Sequence, residues 1–294
     1  MKKPLFGCVI PVKGERPFFD EALASLKSQG MGDDLEIIVQ DADVFNTKAQ
    51  RHGGTEDFRG ACGAGKNGSE SLSLCVEKNI DGVRWCRELD KGQSDALNKG
   101  FAKAKGEWLF WLNADDVLLP GALKKVRDCI THRGAGVEWI AGNTVYLNPD
   151  GYAMDVRTDA IWRPWFGRRM SVWTGGPSAF FKRGLWERLG GFDLAFKYMM
   201  DIDLWTRWAR SGVRFVSVKN YLWGFRIHPA SLTSGDGCKD EHIAERERML
   251  VKYGFANQFL WHTLCRVCSC LDGARVKKLC DSKRLSGMFW SDIG

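Results

Sequence analysis

The stretch of sequence that decides the fold is Gly106-Glu-Trp-Leu-Phe-Trp-Leu-Asn-Ala-Asp-Asp116. Its centre, residues 108–112, is a short uninterrupted apolar run, which predicts a buried strand. Two adjacent carboxylates, Asp115 and Asp116, close the stretch. In open parallel sheets, ligands bind beyond the carboxyl ends of the strands. The acidic pair is therefore predicted to lie at a ligand-binding edge of a sheet.

The sequence before this stretch alternates between strand and helix patterns. Residues 5–12 form an apolar run, residues 18–29 carry apolar side chains at helical spacing, and residues 35–39 form a second apolar run that ends near Asp41. Residues 93–105 show a further helical pattern directly before the deciding stretch. This order indicates parallel strand pairing. We predict an α/β fold with a mostly parallel central sheet flanked by helices.

The second half of the chain is less regular. It contains further predicted strands at residues 139–146, 178–181 and 213–217, and predicted helices at residues 121–130, 185–189 and 201–211. We predict a catalytic domain over residues 1–238, with halves at 1–120 and 121–238, and a helical C-terminal extension over 239–294. Residues 46–71 are polar and glycine-rich, which is typical of a long surface loop or an insertion.

Composition narrows the class of protein. The 294 residues are 44% hydrophobic and 27% charged, which is typical of a globular protein and excludes extensive disorder. The sequence has no run of about 18 apolar residues and no signal-peptide pattern, so we expect a cytoplasmic protein whose 10 cysteines stay reduced. The net charge of +7 fits solvated helix faces or attraction to anionic lipids and phosphorylated substrates, and no nucleic-acid partner is expected.

Carboxylates follow several predicted strands or begin a helix, at Asp41, Asp115, Asp116 and Asp201. Paired carboxylates beyond a buried strand suit a hard divalent cation, which prefers oxygen ligands. Such a cation would bridge to the oxygens of a diphosphate. The alternative is that these carboxylates only cap the segments that follow them.

Two consecutive segments, Glu88-Leu-Asp-Lys-Gly-Gln-Ser-Asp-Ala-Leu-Asn-Lys-Gly100 and the deciding stretch, strongly resemble glycosyltransferase family 2. Shorter similarities extend from about Pro4 to Ser234, at Val9-Ile-Pro-Val-Lys13, Glu36-Ile-Ile-Val-Gln-Asp41, Trp173-Thr-Gly-Gly-Pro-Ser178, Gly190-Gly-Phe-Asp193, Met200-Asp-Ile-Asp-Leu-Trp205 and Phe225-Arg-Ile-His228. The resemblance implies a GT-A fold, with a Rossmann-like sheet. It also implies metal-dependent transfer of a sugar from a nucleotide-sugar donor to a hydroxyl acceptor, with inversion.

The resemblance assigns the reactive residues. It implies that Asp116 binds Mn²⁺ or Mg²⁺ directly, that Asp115 faces the ribose or sugar of the donor, and that His228 is a further metal ligand. Asp201 is implied as the general base that deprotonates the acceptor. The residues alone leave simpler roles open, since His228 can be a structural histidine and Asp201 can be a helix N-cap.

Further positions are expected around the substrates. The donor-binding residues implied are Pro11, Val12, Glu15, Asp41, Gln93, Asn98 and Asp115. Of these, Gln93 and Asn98 lie in the first turns of a predicted helix, where phosphate or sugar hydroxyls can bind. The acceptor or sugar pocket is expected at Trp173, Gly175 and Gly176, although core packing is the commoner use of a tryptophan.

The family resemblance also leads to expectations about the donor and the acceptor, and other functions compete with sugar transfer. UDP-linked sugars are the expected donors, and a growing surface glycan or a lipid-linked molecule is the expected acceptor. The competing functions are a catalytically silent sugar-nucleotide or glycan-binding module and a nucleotidyltransferase. Flanked by basic residues, an apolar stripe occurs at Phe255, Phe259, Leu260, Leu264 and Val267. It suggests either peripheral membrane contact or packing on the catalytic domain.

Overall fold

The computed structural model describes residues 3–42, 76–134, 136–158, 175–232, 239–254 and 274–294. Its strands are Phe6–Val12 (β1), Leu35–Asp41 (β2), Val76–Ile80 (β3), Val83–Arg87 (β4), Trp108–Trp111 (β5), Val117–Leu118 (β6), Trp139–Leu147 (β7), Ala153–Arg157 (β8), Ala179–Lys182 (β9) and Phe215–Arg226 (β10). Its α-helices are Phe19–Lys27 (α1), Gln93–Lys103 (α2), Ala122–Arg133 (α3), Arg183–Leu189 (α4), Met200–Arg210 (α5), Lys239–Tyr253 (α6) and Ala274–Leu285 (α7).

The strands of the described residues form one sheet in the order β3-β4-β2-β1-β5-β9-β7-β10-β6, with β8 paired to β7. The first half is parallel through β4, β2, β1 and β5, and β7 pairs in parallel with β10. Strand β9 lies antiparallel between β5 and β7 and joins the two halves. The predicted α/β class, a mostly parallel central sheet flanked by helices, is confirmed.

Alternation along β1 and β5 divides the core between the two faces of the sheet. Val9 and Trp111 pack in one cluster, while Ile10 and Phe110 pack in the other. Helix α2 approaches β1 closely, because a Cβ on Gly100 would lie 2.4 Å from Cγ1 of Val9. This contact seats α2 on the sheet, and it brings the start of the helix beside the carboxyl ends of β1 and β5.

Strand β10 is longer than predicted and delivers residues to that edge. The sequence predicted a strand over residues 213–217, whereas β10 continues to Arg226 through register shifts after Ser217 and Tyr221. Its far end pairs antiparallel with β6, the short strand that directly follows Asp116. The turn that carries the acidic pair is therefore held against the end of β10.

The C-terminal elements pack on the rest of the chain. Met249 and Tyr253 of α6 belong to the same buried cluster as Val9 and Trp111. Near the C-terminus, Trp290 is buried in a third cluster beside β7 and β8. None of the helices described here is long and apolar enough to cross a membrane. The glycine-rich residues 46–71 and the apolar stripe of residues 255–267 lie outside the described residues.

Candidate active site

A cavity of about 700 Å³ opens beyond the carboxyl ends of β1 and β5. Its walls come from the segments after these two strands, the start of α2, residues 175–177, residues 197–202 and the end of β10 with the following turn. Nine of the predicted site residues line it, namely Pro11, Val12, Glu15, Gln93, Asp115, Gly175, Gly176, Asp201 and His228. The sheet therefore gathers residues from distant parts of the sequence at one edge.

Asp115 and His228 face each other in this cavity. The Nε2 atom of His228 lies 3.1 Å from Oδ2 of Asp115. The side chain of His228 is 11% exposed and that of Asp115 is 32% exposed. The imidazole ring also packs on Phe18, with 5.0 Å between ring centroids. The pair thus presents one nitrogen and one carboxylate to the same point, which is a donor set that suits a divalent cation.

Asp116 lies behind the cavity wall, and this differs from its expected role as the direct metal ligand. The residue is fully buried. Its Oδ1 accepts the backbone N–H of Arg226 at 3.0 Å, and its Oδ2 accepts Nδ2–H of Asn113 at 2.7 Å. Burial, together with the negative charge of Asp115, raises the pKa of the Asp116 carboxyl well above its usual value. Of the two carboxylates, Asp115 lines the cavity, whereas Asp116 holds the turn through its hydrogen bonds to Arg226 and Asn113.

Arg226, which the sequence analysis did not single out, fixes this turn. Its guanidinium is buried and donates from Nε to the Asp115 carbonyl at 3.0 Å and from Nη1 to the Pro149 carbonyl at 2.6 Å. Nη2 donates to Glu21, which also accepts a hydrogen bond from Nε1 of Trp290. Arg226 is the last residue of β10 and precedes His228 by two positions, and its place in the Phe225–His228 segment was the available signal.

Asp201, in the first turn of α5, also lines the cavity. Its Oδ1 accepts the backbone N–H of Ile202 at 2.8 Å. Burial raises the pKa of its carboxyl to about 6, against the weaker opposing effects of the Ile202 hydrogen bond and the positive charge of Arg157. A carboxylate with a pKa close to neutral is well suited to accept a proton.

The predicted glycines permit close contact around Asp201. A Cβ on Gly176 would lie 2.5 Å from Cζ2 of Trp111 and 3.2 Å from Oδ2 of Asp201. A Cβ on Gly175 would lie 2.8 Å from Cζ3 of Trp223. Any larger residue at these two positions would push aromatic rings or the carboxylate out of place. Trp173, the third residue expected in this pocket, lies outside the described residues.

The donor-side residues divide into two groups. Pro11, Val12, Glu15 and Gln93 line the cavity, and Nε2 of Gln93 donates to Oδ1 of Asn113 at 2.8 Å. This bond links the start of α2 to the turn after β5. The first turn of α2 is thereby held against the acidic turn.

Two predicted donor-binding residues do not line the cavity. Asp41 is fully buried beneath Arg16 and Arg87, whose nitrogens lie 3.1 and 3.3 Å from its Oδ2. Asn98 uses both ends of its amide on the backbone of Phe192, accepting at 2.8 Å and donating at 2.9 Å. The structure thus gives Asp41 the role of holding Arg16, a cavity residue, and gives Asn98 a role in packing the loop after α4.

Several cavity residues were not anticipated. They include four cationic residues, Lys13, Arg16, Arg157 and Lys197, and the aromatic Tyr198. Arg16 was within reach of sequence analysis, because it follows β1 in the same loop as Glu15. Lys13 lies in the same loop, whereas Arg157, Lys197 and Tyr198 sit on elements whose approach to the cavity depends on the order of strands in the sheet, which the sequence pattern does not reveal.

Comparison with known proteins shows which family and which relatives the chain resembles. Residues 66–185 match the sequence model of glycosyl transferase family 2. An uncharacterized glycosyltransferase of Rickettsia typhi is 23% identical over 245 residues, which cover 79% of this chain and 66% of that protein. A PGL/p-HBAD biosynthesis glycosyltransferase of Mycobacterium bovis is 26% identical over 211 residues, which cover 69% of each chain. The chain thus spans about two thirds of the length of these relatives.

Solved structures show the same fold at low sequence identity. The S. aureus TarS fragment 1–349 in complex with UDP superposes with a TM-score of 0.54 at 14% identity, covering 86% of this chain and 66% of that one. The mannosyltransferase PcManGT from Pyrobaculum calidifontis, in complex with GDP-Man and Mn²⁺, gives a TM-score of 0.51 at 17% identity, covering 92% of this chain and 81% of that one. The chain therefore has the GT-A fold of these structures, and its residues 66–185 resemble glycosyl transferase family 2.

Proposed function

We propose that the chain transfers a sugar from a nucleotide-sugar donor to a hydroxyl acceptor, with inversion and with the help of a divalent cation. The observation that carries this proposal is the arrangement of one cavity. The Asp115–His228 pair and the Asp201 carboxylate both line it, at the edge of the sheet where α/β proteins bind ligands. The family match and the glycosyltransferase relatives support the same reaction class.

The residues present fit a cation that the donor helps to coordinate. No group of three or more His, Cys, Asp or Glu side chains suited to hold a metal occurs within the described ranges. Asp115 and His228 supply two ligands, which is typical of Mg²⁺-type sites that take their remaining ligands from substrate phosphates and water. Mn²⁺ or Mg²⁺ held there would neutralise the negative charge that develops on the departing diphosphate.

The nucleotide is proposed to lie along the N-terminal half of the cavity. Pro11, Val12 and Glu15 line this side after β1, and Gln93 lines it at the start of α2. The helix start offers backbone N–H groups and a positive dipole end, both of which favour phosphate. A UDP-linked sugar is the proposed donor, supported by the TarS complexes with UDP and UDP-GlcNAc on the same fold.

Asp201 is proposed to act as the general base. The acceptor oxygen forms a bond to the anomeric carbon of the sugar, and the acceptor proton moves to Oδ2 of Asp201. The bond between the anomeric carbon and the diphosphate oxygen breaks, and its electron pair leaves with the nucleoside diphosphate. Because Oδ1 is held by Ile202, the carboxylate keeps one orientation during this step. A single displacement of this kind inverts the anomeric centre.

The acceptor is proposed to be a hydroxyl of a growing surface glycan or of a lipid-linked molecule. Tyr146, Tyr198 and Trp223 line the cavity with flat apolar surfaces and polar edges, which suit sugar rings. Peripheral contact with an anionic membrane is part of this proposal for a lipid-linked acceptor. Sedimentation with anionic liposomes at low salt tests that part, and a protein that stays in the supernatant contradicts it.

Product analysis tests the reaction class. Purified protein is incubated with a panel of sugar nucleotides and candidate acceptors, with and without Mn²⁺. Metal-dependent release of nucleoside diphosphate, lost in both Asp115→Asn and Asp201→Asn, is the expected result. Formation or consumption of pyrophosphate would instead identify a nucleotidyltransferase. Sugar-nucleotide binding without any product would identify a catalytically silent binding module.

A further inference from the structure

Helix α6 holds the segment that carries the proposed base. The side chain of Glu245, on α6, is only 5% exposed and points at the start of α5. Its Oε1 accepts the backbone N–H of Lys197 at 2.8 Å, and its Oε2 accepts those of Tyr198 at 2.7 Å and Met199 at 3.0 Å. One carboxylate therefore binds three consecutive amides directly before the helix that contains Asp201.

These hydrogen bonds are strong for their type. They join an ionised acceptor to backbone donors, and such bonds are roughly twice as strong as those between neutral groups. The negative charge also lies at the positive end of the α5 dipole. The N-cap residue, Met199, provides no side-chain cap, and in the first turn the Asp201 carboxylate accepts the N–H of Ile202. Glu245 binds the amides before this turn from a distant helix.

A second contact between the same helices acts independently of Glu245. Asp203, which is fully buried, accepts Nζ–H of Lys252 at 2.7 Å and the hydroxyl of Tyr253 at 2.6 Å, both from α6. It also binds Nε of Arg207 at 2.9 Å. This second anchor holds the body of α5 on α6. Loss of Glu245 should therefore release the backbone of residues 197–201, while α5 stays packed on α6.

We infer that Glu245 is a positioning residue for transfer, which sets the cavity wall of residues 197–201 so that Asp201 faces the acceptor hydroxyl. Lys197, Tyr198, Met200 and Asp201 all line the cavity. The three amides bound by Glu245 belong to this wall or adjoin it. The inference rests on the proposed function, because it assigns Glu245 to the geometry of that reaction.

The test compares Glu245→Ala and Glu245→Gln with Glu247→Ala and Glu247→Gln. Glu247 is exposed on the same helix and is the matched control. Glu245→Ala should lower kcat about 10- to 100-fold, because a misplacement of about 1 Å costs this much. The kcat of Glu245→Gln should lie between those of wild type and Glu245→Ala. The glutamine amide oxygen can still accept a hydrogen bond, whereas its NH2 group is a donor and would face a backbone N–H. The KM for donor should stay within about twofold, because the donor side is built from other elements.

Hydrogen–deuterium exchange separates this inference from the proposed function. In Glu245→Ala, the amides of residues 197–201 should exchange faster than in wild type, while those of β1 stay unchanged. If wild type transfers no sugar, the proposed function fails, and exchange still decides whether Glu245 holds the wall. Unchanged exchange in this segment overturns the inference. A lower Tm with unchanged kcat per folded molecule also overturns it, because Glu245 would then be merely structural.

Discussion

Asp201→Asn tests the site through two effects of opposite sign, a loss of activity and a gain of stability. The substitution keeps the shape of the side chain, and its Oδ1 can still accept the N–H of Ile202 at 2.8 Å. It removes the ability to accept a proton, which typically costs about 10²- to 10⁴-fold in rate. Donor affinity should be nearly unchanged, because the proposed base acts on the acceptor.

The stability effect follows from the pKa of the carboxyl. Burial raises this pKa from 3.8 to about 6, so the folded state holds the proton more tightly than the unfolded state. Ionised Asp201 therefore destabilises the fold, with a penalty that grows as pH rises from 3.8 and is complete above about 6. At about 1.4 kcal/mol per pH unit, the penalty at pH 8 is at most about 3 kcal/mol, and solvent in the cavity reduces it. Asp201→Asn removes this penalty.

Urea unfolding at pH 8 and at the lowest pH that keeps wild type folded measures this effect. Asp201→Asn should be more stable than wild type at pH 8, and the difference should shrink in acid. Asp203→Asn is the matched contrast, because the buried Asp203 is paired with Lys252, Tyr253 and Arg207, and breaking such a pair typically costs about 3–5 kcal/mol. In wild type, kcat should fall as pH drops through about 6. Destabilisation by Asp201→Asn at pH 8, or an acid limb near the ordinary value of 3.8, refutes the reasoning.

Three further predictions test other parts of the cavity. Asp115→Asn should weaken Mn²⁺ binding in the presence of UDP by at least the about 10- to 100-fold that loss of an outer-shell partner typically costs, and an unchanged titration would remove Asp115 from the proposed metal site. Gly176→Ala should lower kcat about 10- to 100-fold, because its Cβ would lie 2.5 Å from Trp111, whereas Gly184→Ala, whose Cβ meets nothing within 4 Å, should keep full activity. Equal activity of the two glycine variants would contradict this. The product of an α-linked donor should be β-linked, and an NMR coupling constant typical of an α linkage would refute the single displacement.

The sequence predicted the edge of the sheet where the site lies. Apolar runs that end in polar residues are read from the sequence alone, and parallel strands bring their carboxyl ends together. For this reason Asp41, Asp115, Asp116 and Asp201 were expected at one edge; Asp115 and Asp201 line the cavity, whereas Asp41 and Asp116 are buried. His228 came from the family resemblance, and it lines the same cavity.

Side-chain orientation at turns could not be predicted in this way. Asp115 and Asp116 are adjacent, yet the first faces the cavity and the second is buried against the N–H of Arg226. That difference arises because the short strand β6 pairs with β10, which is distant in sequence. The partners of Asp41 and Asn98 were equally unpredictable, since Arg16 and Arg87 bury the former and the Phe192 backbone occupies the latter.

The predicted division at residue 238 marks a change of sequence pattern, whereas the contacts that organise the site cross it. Glu245 binds the amides before the helix of the proposed base. Trp290 donates to Glu21, which pairs with Arg226, and Arg226 binds the Asp115 carbonyl. The C-terminal region thus holds both the base side and the acidic turn through hydrogen bonds between residues that are tens to hundreds of positions apart. Periodicity within a segment carries no information about such partners, so a segment that looks like an appendage in sequence can support the active site in three dimensions.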